Sequence, residues 1–433
     1  MQKRENSHYR MNLNLNVRGL SASATLAINE KSNNLINEGK KIYKLGLGQS
    51  PFPVPQPVVE SLRENANQKD YLPVRGLPEL RETVAEFNKK VFDVECTPDD
   101  IMISPGSKEL IFILQLVYYG DLIIPTPSWV SYAPQARIIG RHVYWVPTDK
   151  SNNYRLSPEK LDIICRTDPS RPRIVILNYP SNPTGCTYPL ERLKHLARVA
   201  RRYNVILVSD EIYGLTQFNG QHQSIAHYYP EGTIISSGLS KWCGAGGWRL
   251  GTFTFPSSLS WLQDAMAIVA SETYTATSAP IQYAAVKAFE GGNWMNSYLA
   301  DTRRILKTLG YSLARKLNEA NLYTPMPEGA FYLFTDFEYY REELQSHEIY
   351  TSVELCSKLL ENTGVAILPG SDFGRQPEEL TARLAYVNFD GKQALDVVDK
   401  EYNNKELDDK FLTACCNDTI EAVNLINKWI INL

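Results

Sequence analysis

The chain has 433 residues, and its 45 Lys and Arg against 48 Asp and Glu give a formal net charge of -3. This near balance excludes the strongly basic surface that nucleic acids or anionic membranes require, so we expect small-molecule partners, no nucleic acid and no membrane. The length favours two domains with a sizeable buried core.

The seven cysteines are scattered, odd in number and without a C-x-x-C pair. This pattern predicts reduced thiols, with neither a disulfide framework nor a metal site. Residues 1–8 are polar and lack the apolar core of a secretory signal. Their basic composition leaves an organellar transit peptide open, but a cytoplasmic protein is the favoured interpretation. The longest apolar run, near residues 110–119, is too short to span a bilayer.

In chain order, the first forty or so residues carry few large apolar side chains and are predicted to form an arm. Residues 46–55 combine two glycines with three prolines, which predicts an irregular loop. Its Gly-x-Gly is not a dinucleotide motif, because the third glycine is missing and proline follows. A turn near Tyr71 then leads into a helix whose apolar positions Leu80, Val84 and Phe87 recur at helical spacing.

From about residue 100, short apolar runs alternate with helical patterns, which predicts an α/β fold with a mainly parallel sheet wrapped by helices. The predicted strands are residues 101–103, 121–124, 173–177, 205–208, 233–235 and 252–255. Predicted helices include residues 190–202, 294–318 and 353–361, and a further strand is expected at 329–334. We expect an N-terminal arm and part of the small domain in residues 1–50, a large domain in 51–300 and a smaller α+β domain in 301–433, formed by both termini. Residues 400–410 look like a charged insertion before a last amphipathic helix.

Ligands of an open parallel sheet lie beyond the carboxyl ends of its strands, so the residues that follow each run are informative. After the first run, Gly106 and Ser107 lie in a small-residue turn that offers backbone N–H groups to a phosphate. Trp129 could stack on an aromatic ring, although a buried core tryptophan is the commoner role. Asn182 precedes a proline and could donate to a ligand oxygen or simply form a turn.

Later runs end in charged or phenolic side chains. Asp210 ends a buried strand, where its carboxylate needs a cationic partner such as a protonated pyridine nitrogen; a helix N-cap is the alternative. Tyr213, three residues on, could hydrogen-bond a phenolate-type oxygen. Arg383 lies among apolar residues and could bind a carboxylate through two hydrogen bonds.

Residues 236–251 are rich in Gly and Ser and contain Lys241 and Arg249. Lys241 is the only charge among small and apolar neighbours, a setting that lowers its pKa and allows it to form a Schiff base with a carbonyl. Arg249 follows a glycine-rich turn, where its guanidinium could clamp a phosphate. Together they suggest a phosphorylated aldehyde cofactor; taken alone, a surface loop with two solvated cations is an equal alternative.

In this order, the motifs closely resemble the fold-type I pyridoxal-phosphate (PLP) aminotransferases of class I/II, over about residues 45–390. The resemblance is carried by Tyr71 with residues 76–79, residues 182–185, residues 210–213, residues 240–241 with 247–249, and Arg383. It implies PLP as the cofactor and a ping-pong aldimine/ketimine reaction between an L-amino acid, with an acidic or aromatic donor favoured, and a 2-oxo acid.

The resemblance also implies residue roles. Lys241, Asp210 and Tyr213 would be catalytic, with Lys241 holding PLP and moving the proton and Asp210 keeping the pyridine nitrogen protonated. Cofactor-binding residues would be Gly106, Ser107, Lys108, Trp129, Asn182, Asp210, Tyr213, Lys241 and Arg249, joined by Tyr71 from the second subunit of a homodimer. Substrate-binding residues would be Gly48, Asn182, Arg383 and Lys108.

Two positions bear on specificity and on the phosphate. Gly238 stands where many relatives carry a phosphate-binding Ser, so Ser237 or Ser240 must substitute or the contact is lost. Lys108 matches a lysine with which a bacterial branch acting on aspartate or prephenate binds the distal carboxylate, but a lysine that merely flanks the phosphate turn has equal weight. Residues 271–280 lack the arginine with which the aspartate-specific animal and enteric branch binds the side-chain carboxylate.

Two other functions share these features. A PLP-dependent lyase that performs β- or γ-elimination would carry almost every motif. A non-catalytic cofactor-binding regulator is disfavoured, because Lys241 and Asp210 are both present and no separate helix-turn-helix domain precedes the fold.

Overall fold

The computed structural model describes residues 12–20, 23–403 and 405–433; residues 1–8, where no secretory signal is expected, lie outside this range. Its strands are β1 (Tyr43–Lys44), β2 (Ile101–Ser104), β3 (Asp121–Thr126), β4 (Val143–Pro147), β5 (Arg173–Asn178), β6 (Ile206–Asp210), β7 (Thr233–Gly238), β8 (Gly251–Thr254), β9 (Tyr332–Asp336), β10 (Val365–Ala366), β11 (Leu368–Pro369) and β12 (Thr381–Ala385). Its helices are α1 (Ala24–Asn37), α2 (Gln56–Glu64), α3 (Pro78–Phe92), α4 (Ser107–Val117), α5 (Tyr132–Ile138), α6 (Pro158–Arg166), α7 (Leu190–Arg202), α8 (Ser260–Thr273), α9 (Ala279–Glu290), α10 (Asn293–Glu319), α11 (Arg341–Ser346), α12 (Ser352–Thr363), α13 (Gly391–Glu401), α14 (Asp409–Cys415) and α15 (Asn417–Ile431).

The largest sheet has seven strands in the order β2-β8-β7-β6-β5-β3-β4. Neighbouring strands from β4 to β7 are parallel, and β8 runs antiparallel to β7 and to β2. The predicted mainly parallel sheet is therefore confirmed. Such a sheet has helices on its faces, so its central strands are buried on both sides and appear in the sequence as continuous apolar runs.

The edge strand β4 was not predicted. Among the described residues it pairs with β3 alone, and its central residues Tyr144 and Trp145 stay 46% and 39% exposed. A half-covered edge strand lacks the fully buried run that reveals β5 and β6. The helix α7, by contrast, has the predicted bounds, because Leu193, Leu196 and Ala200 pack one buried face onto the sheet.

Two smaller sheets take all their strands but β1 from the C-terminal third of the chain. The strands β11, β12 and β9 form an antiparallel sheet, and β1 pairs in parallel with β10. Tyr43 and Leu45 join a buried cluster that includes Leu306, Leu384 and Ile426. The segment before residue 50 therefore packs with the C-terminal part of the chain.

The predicted arm contains an unpredicted helix, α1. Its Ile28 packs against a buried cluster that contains Phe334 and Phe373, while Leu26 stays 62% exposed. The predicted charged insertion, except Asn404, connects α13 to α14. Arg304 of α10 donates hydrogen bonds to the carbonyl oxygens of Tyr402 and Lys405 and so fixes this connection.

All seven cysteine thiols are free, and six of them are buried. Among the described residues, no helix combines the length and the apolar character needed to cross a membrane.

Candidate active site

The predicted strand-end residues meet at the carboxyl edge of the large sheet. Asn178 and Asp210 end β5 and β6, Ser236 lies two residues before the end of β7, and the three residues are paired in register. Lys241 follows three residues after the end of β7. The sheet thus brings an amide, a carboxylate and an amine to one edge, as expected for a ligand site of an open α/β sheet.

The Lys241 amine is held by the loop that precedes α2. Its Nζ donates a hydrogen bond to the Gly48 carbonyl oxygen at 2.8 Å and lies 5.5 Å and 5.7 Å from the ring centres of Tyr213 and Phe331. Burial, with smaller effects from the positive charges of Arg383 and Arg249, lowers the pKa of Lys241 to about 8. The neutral amine, which a nucleophile requires, is therefore far more populated near neutral pH than it is for an exposed lysine.

Asp210 is buried and is hydrogen-bonded mainly through one oxygen. The Tyr132 hydroxyl donates to Oδ2 at 2.5 Å, whereas Ser236 Oγ and the Ile212 amide donate to Oδ1 at 3.4 Å. Burial raises the pKa of Asp210 to about 6, against the lowering effect of these hydrogen bonds. A carboxylate in this setting is stabilised by a cationic ligand nitrogen.

Glu211 anchors the segment that presents Asp210 and Tyr213. Its buried carboxylate accepts hydrogen bonds from Ser209 Oγ at 2.7 Å and Ser224 Oγ at 2.6 Å, and His222 Nε2 lies 2.9 Å away. A buried carboxylate with several donors fixes the backbone around it, because losing any donor leaves charge unsatisfied.

The N-terminus of α4 and Arg249 form a candidate phosphate site. Arg249 donates to the carbonyl oxygens of Gly246 at 2.9 Å and Pro105 at 3.4 Å. Gly106 has a φ of 93°, and a Cβ there would overlap the Arg249 guanidinium, so the turn needs glycine. The first N–H groups of α4, beginning at Ser107, complete an anion-binding arrangement.

Lys108 and Trp129 lie beside this turn. The Lys108 Nζ is 5.3 Å from the Trp129 ring centre. Burial, together with the charge of Arg249, lowers the pKa of Lys108. Trp129 is half-buried and packs edge-on against Tyr132, with ring centres 5.2 Å apart. Both residues thus border the phosphate turn and the Asp210 pocket.

Close packing of the backbone requires glycine at position 238, and Gly238 has no side chain to offer to a phosphate. A Cβ at this position would lie 2.6 Å from the Leu250 carbonyl oxygen. The antiparallel neighbour β8 therefore excludes a serine here. Ser237 and Ser240 stay partly exposed on either side of it.

Arg383 is 1% exposed and lies in the centre of β12. Its Nη1 donates to Asn182 Oδ1 at 3.1 Å and its Nη2 to the Gly46 carbonyl oxygen. No acceptor within the described residues reaches its buried Nε. An orphaned donor on a buried guanidinium has bonding capacity left for a carboxylate. Since Asn182 accepts from Arg383, its amide nitrogen can donate to a ligand.

Tyr213 and Gly48 are linked through Tyr332. The hydroxyl groups of Tyr213 and Tyr332 lie 2.7 Å apart, and a Cβ at Gly48 would overlap the Tyr332 hydroxyl. Burial raises the pKa of Tyr213 well above its usual range, so the hydroxyl keeps its proton. Within one chain, Tyr71 does not join these site residues, because it is 90% exposed.

The sequence reasoning missed Tyr132, Tyr332 and Phe331. Tyr132 opens α5, three residues after Trp129, where nothing in the sequence distinguishes it from an ordinary core tyrosine. Tyr332 and Phe331 lie within the predicted strand at residues 329–334, where nothing in the sequence assigns them to the site. A buried tyrosine beside a strand-end carboxylate is recognisable only once the packing is known.

The donor set fits PLP. The Gly106 turn that leaves room for Arg249 suits a phosphate, the Lys241 amine suits an aldehyde carbon, and buried Asp210 suits a protonated pyridine nitrogen. The orphaned Arg383 Nε adds a carboxylate site. A lysine, a carboxylate and a phosphate turn at one edge of a mainly parallel sheet define a class of enzymes that hold PLP through the lysine.

Comparison with known proteins supports this assignment. The family Aminotransferase class I and II matches residues 40–390, so the chain belongs to this family of PLP-dependent aminotransferases. The aspartate aminotransferase of Bacillus subtilis is 33% identical over 386 residues, which cover 87% of this chain and 94% of the relative. The aspartate/prephenate aminotransferase of Thermus thermophilus is 31% identical over 366 residues, covering 83% and 91%.

A solved structure agrees with the fold. The aspartate aminotransferase from Thermus thermophilus with maleate superposes with a TM-score of 0.82 at 28% identity, covering 97% of this chain and 100% of that chain. The chain is thus an aminotransferase, as predicted, and none of these matches favours the lyase alternative.

Proposed function

We propose that this aminotransferase takes an acidic L-amino acid, such as aspartate or glutamate, as its amino donor and a 2-oxo acid as its acceptor. Arg383 binds the α-carboxylate and Lys108 the side-chain carboxylate. The observation that carries the proposal is the Lys108 ammonium 5.3 Å from the Trp129 ring, beside the turn that Arg249 already serves. The names of the two relatives, and the dicarboxylate maleate in the solved structure, support it.

Two cations at one turn favour two anions. Arg249 is fixed by two backbone carbonyl groups, which suits a permanent phosphate contact. Lys108 repels Arg249 and has a flexible stem, so a second carboxylate beside it relieves the repulsion.

The remaining residues have distinct roles. PLP, when bound, supplies an electron sink that makes the substrate Cα–H bond acidic. The Asp210 carboxylate would accept a hydrogen bond from the pyridinium N–H and so keep that nitrogen protonated, and Asn182 and Tyr213 would donate hydrogen bonds to the ring oxygen. The Lys241 amine, with its lowered pKa, would accept the proton from the substrate Cα and deliver it to the former aldehyde carbon of the cofactor.

The test of donor class is Lys108→Met, which keeps the stem and removes the charge. We expect kcat/KM for aspartate to fall about 100-fold, because a desolvated carboxylate loses its partner, while kcat/KM for phenylalanine stays within about threefold. The control is Lys287→Met, an exposed lysine paired with Glu290 at 3.0 Å. If both donors fall alike and PLP affinity drops, Lys108 serves the phosphate and the acidic-donor proposal fails.

We also propose a homodimer in which Tyr71 completes the phosphate site of the partner subunit. Its 90% exposure within the chain supports this arrangement. The test mixes two inactive variants, Tyr71→Ala and Lys241→Ala. Random pairing makes half of the dimers mixed, and each mixed dimer has one intact site, so about a quarter of the wild-type activity should return. If activity does not return although mixed dimers form, Tyr71 does not act across an interface.

The domain boundaries near residues 50 and 300 and a cytoplasmic location are parts of the same proposal. The pairing of β1 with β10 and the packing of Tyr43 and Leu45 support an N-terminal contribution to the small domain. The seven free thiols support a reducing compartment. The boundary near residue 300 falls within α10, so limited proteolysis is read at the connection of residues 291–292 that precedes this helix. Fractionation of cells with an antibody tests the location.

A further inference from the structure

Tyr332 contacts three of the proposed site residues, namely Tyr213, Arg383 and Gly48. Its hydroxyl lies 2.7 Å from the Tyr213 hydroxyl, and its ring centre lies 4.8 Å from the Arg383 guanidinium carbon. It also occupies the space beside Gly48 that a Cβ would need. The side chain is 1% exposed. One buried ring thus contacts both the proposed cofactor-binding tyrosine and the proposed substrate-binding arginine.

We infer that Tyr332 is a positioning residue that couples Tyr213 to Arg383. Its hydroxyl directs the Tyr213 proton toward the ligand oxygen, and its ring fixes the orientation of the Arg383 guanidinium. The part that concerns Arg383 rests on the proposed function. The part that concerns Tyr213 requires only that PLP is bound.

The hydroxyl argument follows from counting protons. Each phenol has one proton to donate, and the bond between the two hydroxyls can run in either direction. When Tyr213 donates to a ligand oxygen, the bond must run from Tyr332 to Tyr213. A hydrogen bond from Tyr332 to the Tyr213 oxygen polarises the Tyr213 O–H bond. The hydrogen bond that Tyr213 donates to the ligand is thereby strengthened by about 10–30%. Tyr332 therefore both orients and strengthens Tyr213 as a donor.

The ring argument concerns Arg383. Its guanidinium lies 4.8 Å from the Tyr332 ring centre and 5.0 Å from that of Phe373, and it is held by Asn182 and the Gly46 carbonyl. Aromatic rings attract a desolvated guanidinium and restrict its orientation. The unpartnered Nε is thereby kept in a fixed position for a carboxylate.

The hydroxyl is tested by a double-mutant cycle with Tyr332→Phe and Tyr213→Phe, read by pH titration of the visible absorbance of the PLP-loaded protein. A weaker hydrogen bond from Tyr213 leaves more negative charge on the ligand oxygen. This charge stabilises the neighbouring proton whose loss changes the absorbance, so the midpoint of the titration moves to higher pH. We expect Tyr332→Phe to raise the midpoint by roughly a few tenths of a pH unit and Tyr213→Phe to raise it further. The double variant should match Tyr213→Phe alone, since Tyr332 acts through Tyr213.

The ring is tested by the dissociation constant of maleate in the PLP-loaded protein. Tyr332→Phe keeps the ring and should leave this constant within about twofold, whereas Tyr332→Leu should raise it about tenfold. The matched control is Tyr386→Phe, which removes another buried hydroxyl, one that donates to the Ala330 carbonyl at 3.3 Å. This control should move neither the midpoint nor maleate binding.

Each part of the inference has a result that would overturn it. An unchanged midpoint in Tyr332→Phe, or additive shifts in the double variant, overturns the coupling to Tyr213. Equal maleate binding by the Phe and Leu variants overturns the role of the ring. Failure of the wild-type protein to bind maleate or to use aspartate contradicts the proposed function instead, and the absorbance titration of Tyr332→Phe remains decisive in that case.

Discussion

Replacing Tyr132 by Phe tests how the protein keeps Asp210 ionised. The variant removes the 2.5 Å hydrogen bond to Asp210 Oδ2 and leaves two donors at 3.4 Å. A hydrogen bond to a charged group is worth about 1.5–3 kcal/mol, or about one to two pKa units. The pKa of Asp210, already raised by burial to about 6, should rise to roughly 7–8 in the variant.

The consequence is a pH-dependent loss of PLP affinity. If PLP binds the ionised form of Asp210, the apparent dissociation constant scales inversely with the ionised fraction. At pH 7 the variant should bind PLP about two- to tenfold more weakly than the wild-type protein, and at pH 9 nearly equally. The assay is fluorescence titration of the apoenzyme with PLP at both pH values.

The matched control is Ser236→Ala, which removes only a 3.4 Å contact to the other oxygen of Asp210. Its PLP affinity should follow the wild-type protein at both pH values. A Tyr132→Phe variant whose weakening is the same at pH 7 and pH 9 would refute the reasoning, because the effect would then come from altered packing rather than from protonation.

Three further outcomes are expected. In the apoenzyme, burial raises the pKa of Asp210 from its usual 3.8 to about 6, so the stability associated with the protonated form is present below pH 4 and is lost as the pH rises through 6. Asp210→Asn, which cannot ionise, should therefore gain melting temperature relative to the wild-type apoenzyme between pH 4.5 and pH 7.5, as measured by calorimetry; parallel curves would contradict this. Arg383→Lys should raise KM for aspartate at least about tenfold, because a lysine cannot reproduce the planar hydrogen-bond fork; steady-state kinetics with an unchanged KM would exclude Arg383 from the carboxylate site. Glu211→Gln should lower the melting temperature by several degrees, since the buried carboxylate accepts from Ser209 and Ser224, whereas Glu290→Gln at an exposed ion pair should not.

The sequence predicted the central sheet well because its middle strands are buried on both faces. The runs in β5 and β6 are continuous apolar segments, and each ends in a polar residue that the sheet then places at the ligand edge. The edge strand β4 and the helix α1 were missed because neither carries a fully buried apolar pattern.

The same reasoning explains which site residues were found. Asp210 ends β6, Lys241 lies in the segment just after β7, and Arg383 is conspicuous as a charge within an apolar run. Tyr132 and Tyr332 reach the site only through the packing of α5 and β9 against it. No periodicity or spacing in the sequence distinguishes such tyrosines from ordinary core residues.

The most direct test of the central claim is the visible absorbance of the PLP-loaded protein while single L-amino acids are added without any 2-oxo acid. Transfer of the amino group from an acidic donor predicts that aspartate or glutamate bleaches the band, that phenylalanine does so more slowly, and that one 2-oxo acid is released per site without ammonia. A band that persists while ammonia accumulates would contradict amino transfer. Faster bleaching by phenylalanine than by either acidic amino acid would contradict the assigned donor class.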